Sequence, residues 1–478
     1  NIFFKVLKFL NGNVILFLII VFGSFLRLYN LNFDNLWYDE ILSFWVASPQ
    51  HSLIESFKIH NRTEPNTFLF HFLLKTFYEF FGYNLDYTRY LSVFFGILSI
   101  FLTLKIAKLL NFYQMKNFFA FLIALNIYLI SYSQEGRVYS ILFFFSFLSL
   151  IYFIKIFSKK EKRKDNYLFI IFTCISIFLH PFALIILFSY CTFLILKYLA
   201  TKKNSKQINN SLILIFIFSF LFYFFYFISL DHTHSRHYWI TNPDLSFYTN
   251  FFFSSFFGSR LMGGIFLLSL LILIIKEKKL IKNIHILTVL LITIILAYLL
   301  PLIFGYVFKP VLISRYIIFV LIPILTIISL LSSRISTKKI KYSFVFFLIS
   351  MTFLNHFTEQ TFKQFLNERV PSKPEYNKAI SYINKSEHHY YFIKVENMLS
   401  DLDSINAINN YISILSQKLP NKLILINSEE KETIKKPYWH FCPQDINKKV
   451  CSPDIKKNYD IVIEKNFNNI NLKLINLL

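Results

Sequence analysis

The chain has 478 residues, of which 55% are hydrophobic, 20% aromatic and only 16% charged. A soluble protein carries about 25% charged residues, so ordinary globular classes fit badly, and so much apolar surface excludes intrinsic disorder. The formal charge of +23 would suggest nucleic acid in a soluble protein and cytoplasmic loops in a membrane protein.

In chain order, apolar runs lie near 13–31, 89–104, 117–133, 137–155, 167–180, 181–197, 210–230, 250–275, 284–303, 311–333 and 341–357. Their lengths, roughly 17–25 residues, are those of bilayer-spanning helices. Residues 13–31 read as the first spanning helix, with no signal-cleavage site. The run at 67–81 is too short to cross, about 22 Å as a helix at 1.5 Å per residue. It is read as a half-helix dipping into the membrane from the far side, which leaves about eleven crossings.

Basic clusters sit between alternate runs, at Lys105 to Lys116, Lys155 to Lys164, Lys197 to Lys206, Lys276 to Lys282 and Arg334 to Lys341. By the positive-inside rule these loops are cytoplasmic. With Lys5 and Lys8 they place the N-terminus inside, and an odd number of crossings places the C-terminus outside. The residues before Glu359 carry 33 basic and 13 acidic side chains, and those from Glu359 onward carry 17 and 14. The positive excess thus belongs to the membrane part and sets orientation; no nucleic-acid partner is implied. Acidic residues show the opposite bias, most of them lying in far-side stretches.

After about residue 357 the chain turns polar. Pro371–Ile383 has a helical pattern with Ala379, Ile380 and Ile383 on one face. Strand-like runs follow at 389–395, 423–427 and 459–464, with a helix around 404–418. The expected organisation is a membrane domain over 1–357 and a small extracytoplasmic α/β domain over 358–478. Cys442 and Cys451, nine residues apart in an oxidising compartment, are expected to form a disulfide. His440 is near them, but no fourth ligand has zinc-site spacing. Cys174 and Cys191 lie inside apolar helices as packing residues.

Ionisable residues at membrane depth are costly and mark function by default. Far-side stretches hold nearly all of them. After Arg27, the first carries Trp37-Tyr38-Asp39-Glu40, an acidic pair suited to general-base work on a hydroxyl and equally suited to the first turn of a helix. The second is His60-Asn61-Arg62-Thr63-Glu64-Pro65-Asn66, a polar turn. Arg89 opens a crossing, and Glu135, Arg137 and Tyr139 lie between two crossings. His180-Pro181 and Ser314-Arg315-Tyr316 stand at helix ends. A lone Arg there would be snorkelling. Three on one side, with acids, suggest an anion site, since the guanidinium fork suits phosphate.

Six segments in order resemble the GT-C membrane glycosyltransferases: RLYNLNFDNLWYDE (27–40), EPNTFLFHFLL (64–74), TRYLSVFFGIL (88–98), SQEGRVYSILFFFSFLSL (133–150), LHPFAL (179–184) and SRYIIFVLIP (314–323). The resemblance is strongest to the group holding protein O-mannosyltransferases, lipid A aminoarabinose transferases and RgtA/B/C/D-like enzymes. It covers roughly residues 15–325, and SKPEYNKAISYI (372–383) resembles the start of that group's soluble tail. The chain departs from the group in reading Pro65-Asn66 where many members have Pro-Pro.

The resemblance implies an all-α polytopic fold of GT-C type with a small C-terminal α/β domain, in the cell inner membrane with the tail periplasmic. It implies a sugar donor on a polyprenyl phosphate and a lipid, glycan or protein acceptor. Asp39 would be the catalytic base and Glu40 its partner. Glu64 would line the substrate site, Arg89, Arg137 and Arg315 would hold the lipid phosphate, and His180 would line the cavity. Glu135, Tyr139 and Tyr316 fall in the same substrate-binding segments. A divalent metal ion beside Asp39–Glu40 is compatible with the family, but the sequence shows no His/Cys ligand set. A lipid or glycan transporter or flippase is the main alternative and would show inverted repeats, which are not evident. A lipid-linked glycan ligase or polymerase is another; Asp231 to His237 is a modest candidate loop for it.

Overall fold

The computed structural model describes residues 2–64, 66–158, 163–202, 206–229, 240–250, 252–276, 285–358, 370–395, 400–417, 419–427, 430, 436–444 and 459–477. These form two compact units. The first takes the described residues of Asn1–Tyr29, Arg89–Ile228 and Trp239–Arg369, and the second those of Asn30–Thr88, Ser229–Tyr238 and Val370–Leu478.

The first unit is helical throughout. In hydrocarbon each backbone N–H and C=O needs a partner within the protein, and a long apolar segment meets that need by coiling. Every one of the eleven apolar runs falls on helix. Among the described residues, seven helices are long and apolar enough to cross a membrane, or eight if the bent pair Tyr113–Ala124 and Ile127–Ser133 is one span. Arg163–Leu179 and Arg260–Lys276 are slightly shorter, at 17 residues each. The chain is thus a multi-pass membrane protein. Ser314–Arg334 is 94% buried and forms the centre of its unit, whereas Ile208–Ser229 is only 22% buried and shows most of its Phe and Leu side chains outward.

Two expected runs, 250–275 and 117–133, are not single helices. Residues 250–275 divide into Phe253–Phe257 and Arg260–Lys276. Gly258 between them sits at φ +83°, a left-handed conformation that suits glycine and ends the first helix. A second break, at Leu125 and Asn126, bends the chain by 56°.

That bend frees three consecutive carbonyls. Arg27, almost wholly buried, donates from Nη1 to Ala124 O and Gly23 O, both at 2.8 Å, and from Nη2 to Ile123 O at 3.2 Å. His356 Nε2 lies 2.7 Å from Leu125 O. Asn126 caps the next helix, its Oδ1 accepting from Leu129 N–H at 2.9 Å. Its Nδ2 donates to Phe256 O at 2.9 Å, and Asn355 Nδ2 donates to Phe257 O at 2.8 Å, so the Gly258 break is served by the same cluster. Arg27, which the sequence placed among the chemistry-bearing stretches, is a structural side chain.

The second unit joins short helices, Tyr38–Val46, Leu53–Thr63 and Leu69–Phe81, to the polar tail. Leu69–Phe81 is the expected half-helix; at 13 residues it is below spanning length. Within it Lys75 is buried, donating to Ser48 O and His51 O at 2.6 Å each.

The tail carries a five-stranded sheet: β1 (Tyr390–Ile393), β2 (Ile424–Leu425), β3 (Tyr438–Pro443), β4 (Tyr459–Phe467) and β5 (Ile470–Leu477), in the order β2-β1-β3-β5-β4. β1 is parallel to both β2 and β3, and β5 is antiparallel to β3 and β4. Helices Tyr376–Lys385 and Asp401–Ser416 accompany the sheet, the first burying Ala379, Ile380 and Ile383 as its periodicity predicts. Cys442, wholly buried in β3, is disulfide-bonded. Its expected partner Cys451 lies outside the described residues, as does the 231–237 loop.

Two substitutions test the packing of the first unit. Arg27→Met leaves the freed carbonyls without their donor and is expected to cost at least ~2 kcal/mol, read as a lower melting temperature in detergent; melting with the wild type would remove Arg27 from this role. At Gly96 an added Cβ would lie 2.9 Å from Ser133 Cβ and 3.1 Å from Ser140 Oγ. Gly96→Val is therefore expected to cost about 1–3 kcal/mol by overpacking, with the same readout.

Candidate functional site: an acidic cluster and an arginine cluster

The carboxylates Asp39, Glu40 and Glu64 belong to the second unit. Helix Tyr38–Val46 starts after the extended residue Trp37, which has no side-chain cap to offer. Asp39 and Glu40 occupy its first turn, where carboxylates are favoured by the helix dipole. Their environments differ. Glu40 is fully buried, and its Oε2 accepts the Trp37 N–H at 3.4 Å, so it serves the helix start. Asp39 is half-buried. Its carbonyl accepts from Ser43 Oγ at 2.8 Å, and that hydroxyl lies 3.3 Å from His71 Nε2.

Glu64 is buried at the C-terminal end of helix Leu53–Thr63. Burial, helped by the charges of Asp39, Glu64 and Asp401, holds the Tyr38 phenol well above the ordinary tyrosine range. Both predicted carboxylates therefore act on one buried ring. His60, also buried, stacks near His71 at 4.9 Å between ring centroids, and its Nε2 lies 2.7 Å from Asn66 O.

Several residues of this cluster were not singled out by the sequence. Ser404 Oγ lies 2.7 Å from Tyr38 Oη, Tyr411 Oη accepts the Leu36 N–H at 3.0 Å, and Asp403 takes Arg62 in a fork at 2.7 and 3.1 Å. Asp34 accepts from the Ser372 N–H at 2.9 Å, and Lys373 Nζ stands 4.4 Å from the Trp37 ring centre. All these tail residues are more than 330 positions from their partners, so no local pattern signals them.

The arginine residues belong to the first unit. Tyr139 opens helix Tyr139–Ser158, and Arg315 and Tyr316 lie in the tight 3₁₀ stretch Ser314–Val320. The Arg315 guanidinium carbon is 5.7 Å from the Tyr139 ring centre and 5.8 Å from that of Tyr316. His180 lies 4.8 Å from Tyr316 and 6.3 Å from Tyr139, centre to centre. Its Nδ1 accepts the Phe182 N–H at 3.2 Å, which leaves the ring proton on Nε2. That nitrogen is buried and has no hydrogen-bond partner among the described residues. The charges of Arg315 and Arg137 both bear on this ring.

Arg137 and Glu135 share one turn, Arg137 N–H donating to Glu135 O at 2.8 Å. Gln134 pins that turn by donating to Leu26 O, Arg27 O and Tyr29 O at 3.1–3.3 Å. Ser92 Oγ donates to Arg137 O at 3.1 Å, which ties the turn to the helix that Arg89 opens. Arg89 and Arg137 are both buried, Glu135 half-buried. The sequence motif SQEGRVYS thus divides its work: Gln134 and the serines hold the backbone, and Arg137 and Tyr139 face the His180–Arg315 cluster.

Buried Arg137 and half-buried Arg315, with aromatic walls and an imidazole N–H, can neutralise a phosphate. A half-exposed carboxylate at a helix start can take a proton. Among the described residues no group of three or more His, Cys, Asp or Glu is arranged to hold a metal ion.

No protein-family model matches the sequence, and no curated protein matches it. Among solved structures, ArnT from Cupriavidus metallidurans in the apo state is similar over 97% of this chain and 98% of its own, with a TM-score of 0.63 at 11% identity. The same protein bound to undecaprenyl phosphate gives 0.61 over the same shares, at 11% identity. The oligosaccharyltransferase of Archaeoglobus fulgidus has a slighter likeness, with a TM-score of 0.48 at 11% identity, over 82% of this chain and 61% of that one. The chain has the GT-C membrane fold, with a small α/β tail, that its sequence resembles.

Proposed function

We propose that this protein is an integral-membrane glycosyltransferase that moves a sugar from a polyprenyl-phosphate donor to an acceptor hydroxyl on the extracytoplasmic face. The observation that carries the reading is the cluster of buried Arg137, His180 and Tyr139 with half-buried Arg315 and Tyr316, an arrangement suited to an anion in a membrane-embedded unit. The fold likeness to a protein solved with undecaprenyl phosphate supports it.

In this reading Asp39 accepts the proton of the acceptor hydroxyl. The oxygen forms a bond to the anomeric carbon as the bond from that carbon to the phosphate oxygen breaks, with inversion. The electron pair leaves on the polyprenyl phosphate, whose growing charge Arg137, Arg315 and Arg89 stabilise. His180 Nε2–H adds one neutral donor. Glu40 holds the start of the helix on which Asp39 stands, and Glu64 contributes to the acceptor side. The basic loops orient the enzyme, placing acids, arginines and tail outside the inner membrane. The acceptor is a lipid, glycan or protein hydroxyl.

Mass spectrometry of envelope glycolipids and glycoproteins, with and without the intact gene, is expected to show one sugar modification that depends on it. Asp39→Asn is expected to lower transfer by about 10²–10⁴-fold, the usual worth of a general base; full transfer by this variant would sink the assignment. Arg315→Gln is expected to weaken undecaprenyl phosphate binding by roughly tenfold or more, as loss of a charge-assisted contact does. Unchanged binding, measured by thermal shift with the free lipid, would remove Arg315 from the phosphate site.

A further inference from the structure

We infer that helix Asp401–Ser416 of the tail is a positioning element for the acidic cluster, with Ser404 and Tyr411 as positioning residues for Asp39. The inference rests on the reading of Asp39 as base. Helix Tyr38–Val46 has nine residues, too few to be stable alone, and its cap position is a Trp without an accepting side chain. Glu40 gives it one internal cap, a long contact of 3.4 Å to the Trp37 N–H, and firmer hold must come from outside the helix.

The tail helix supplies that hold on both sides of Trp37. Tyr411 Oη accepts the N–H of Leu36 at 3.0 Å, and Ser404 Oγ meets Tyr38 Oη at 2.7 Å. Ser404 already spends its proton on Ser400 O at 2.6 Å, so Tyr38 is the donor in this pair. The contact is directional, and it sits one residue from Asp39. The Tyr411 ring is itself fixed, packed edge-on against the buried Tyr376, which stacks on Phe441 of β3. A line of contacts therefore runs from the core of the tail to the backbone ahead of Asp39.

The neighbouring residue Asp403 holds the second carboxylate segment. It takes Arg62, two positions before Glu64, in a fork of 2.7 and 3.1 Å, and Ser400 Oγ steadies it at 2.9 Å. Adjacent side chains on a helix point about 100° apart. Positions 403 and 404 can therefore reach two different segments, and here they reach the two that carry Asp39 and Glu64. None of these tail residues needs to touch substrate. They would act by keeping the base within reach of the acceptor, an effect that falls on the chemical step.

The test uses the full-length protein in detergent, with lipid-linked sugars extracted from native membranes as donor. The double variant Ser404→Ala/Tyr411→Phe is expected to lower kcat by about tenfold, with the donor KM and the melting temperature close to wild type. Ser404→Thr, which keeps a hydroxyl, is expected to restore the rate. Arg62→Lys, which keeps the charge and loses the fork at a partly exposed side chain, is expected to show the same kcat-only loss and serves where the double variant does not accumulate. Wild-type kcat in these variants, or a change confined to KM, overturns the inference. Asp39→Asn separates the two claims. If it transfers normally the base reading fails; if it is inactive while the tail variants are not, the base reading stands and the tail is only a scaffold.

Discussion

A carbonyl freed by a broken helix has no water to turn to inside a bilayer, and each one left alone costs several kcal/mol. This constraint governs the first unit. Its helices break at Leu125–Asn126 and at Gly258, and both breaks are served by a single polar cluster of Arg27, Asn126, Asn355 and His356. Gly23 allows the approach that Arg27 needs, because an added Cβ there would lie 2.8 Å from Ala124 Cβ. An arginine that looks functional by its position in the membrane is spent on backbone. The arginines left for chemistry are those whose turns other residues hold, as Gln134 and Ser92 hold the turn of Arg137.

The same economy applies to the carboxylates. Glu40 and Asp39 are neighbours in sequence, yet Glu40 is sealed and accepts from the backbone while Asp39 keeps partial exposure. A helix start needs an acceptor, and adjacent first-turn positions let one element bury one carboxylate there and leave the other partly exposed. The tail holds that element at Leu36 and Tyr38. The small α/β tail is thereby given a physical task.

Much of the fold was legible in the chain, because hydrocarbon admits few solutions. Each apolar run became helix, and the strand-like runs at 389–395, 423–427 and 459–464 contain β1, β2 and the start of β4. The failures have physical causes. β3 is buried on both faces, so Tyr438–Pro443 lacks the alternation that marks a strand. β5 lies between β3 and β4, and although its residues 470–474 alternate apolar and polar, the expected strands did not include it. Residues 250–275 are mostly apolar, and hydropathy does not register the left-handed turn that Gly258 makes.

The sequence by itself determined the membrane class, its helices and the far-side residues that resemble a glycosyltransferase site. These follow from local quantities: run length, charge bias and short motifs in order. Only the tertiary structure decided which of those residues are occupied. It assigned Arg27 to carbonyls about a hundred positions away, Glu40 to its own helix start, and Arg62 to Asp403, 341 positions on. Hydrogen bonds are made between groups close in space, and separation along the chain carries no trace of them.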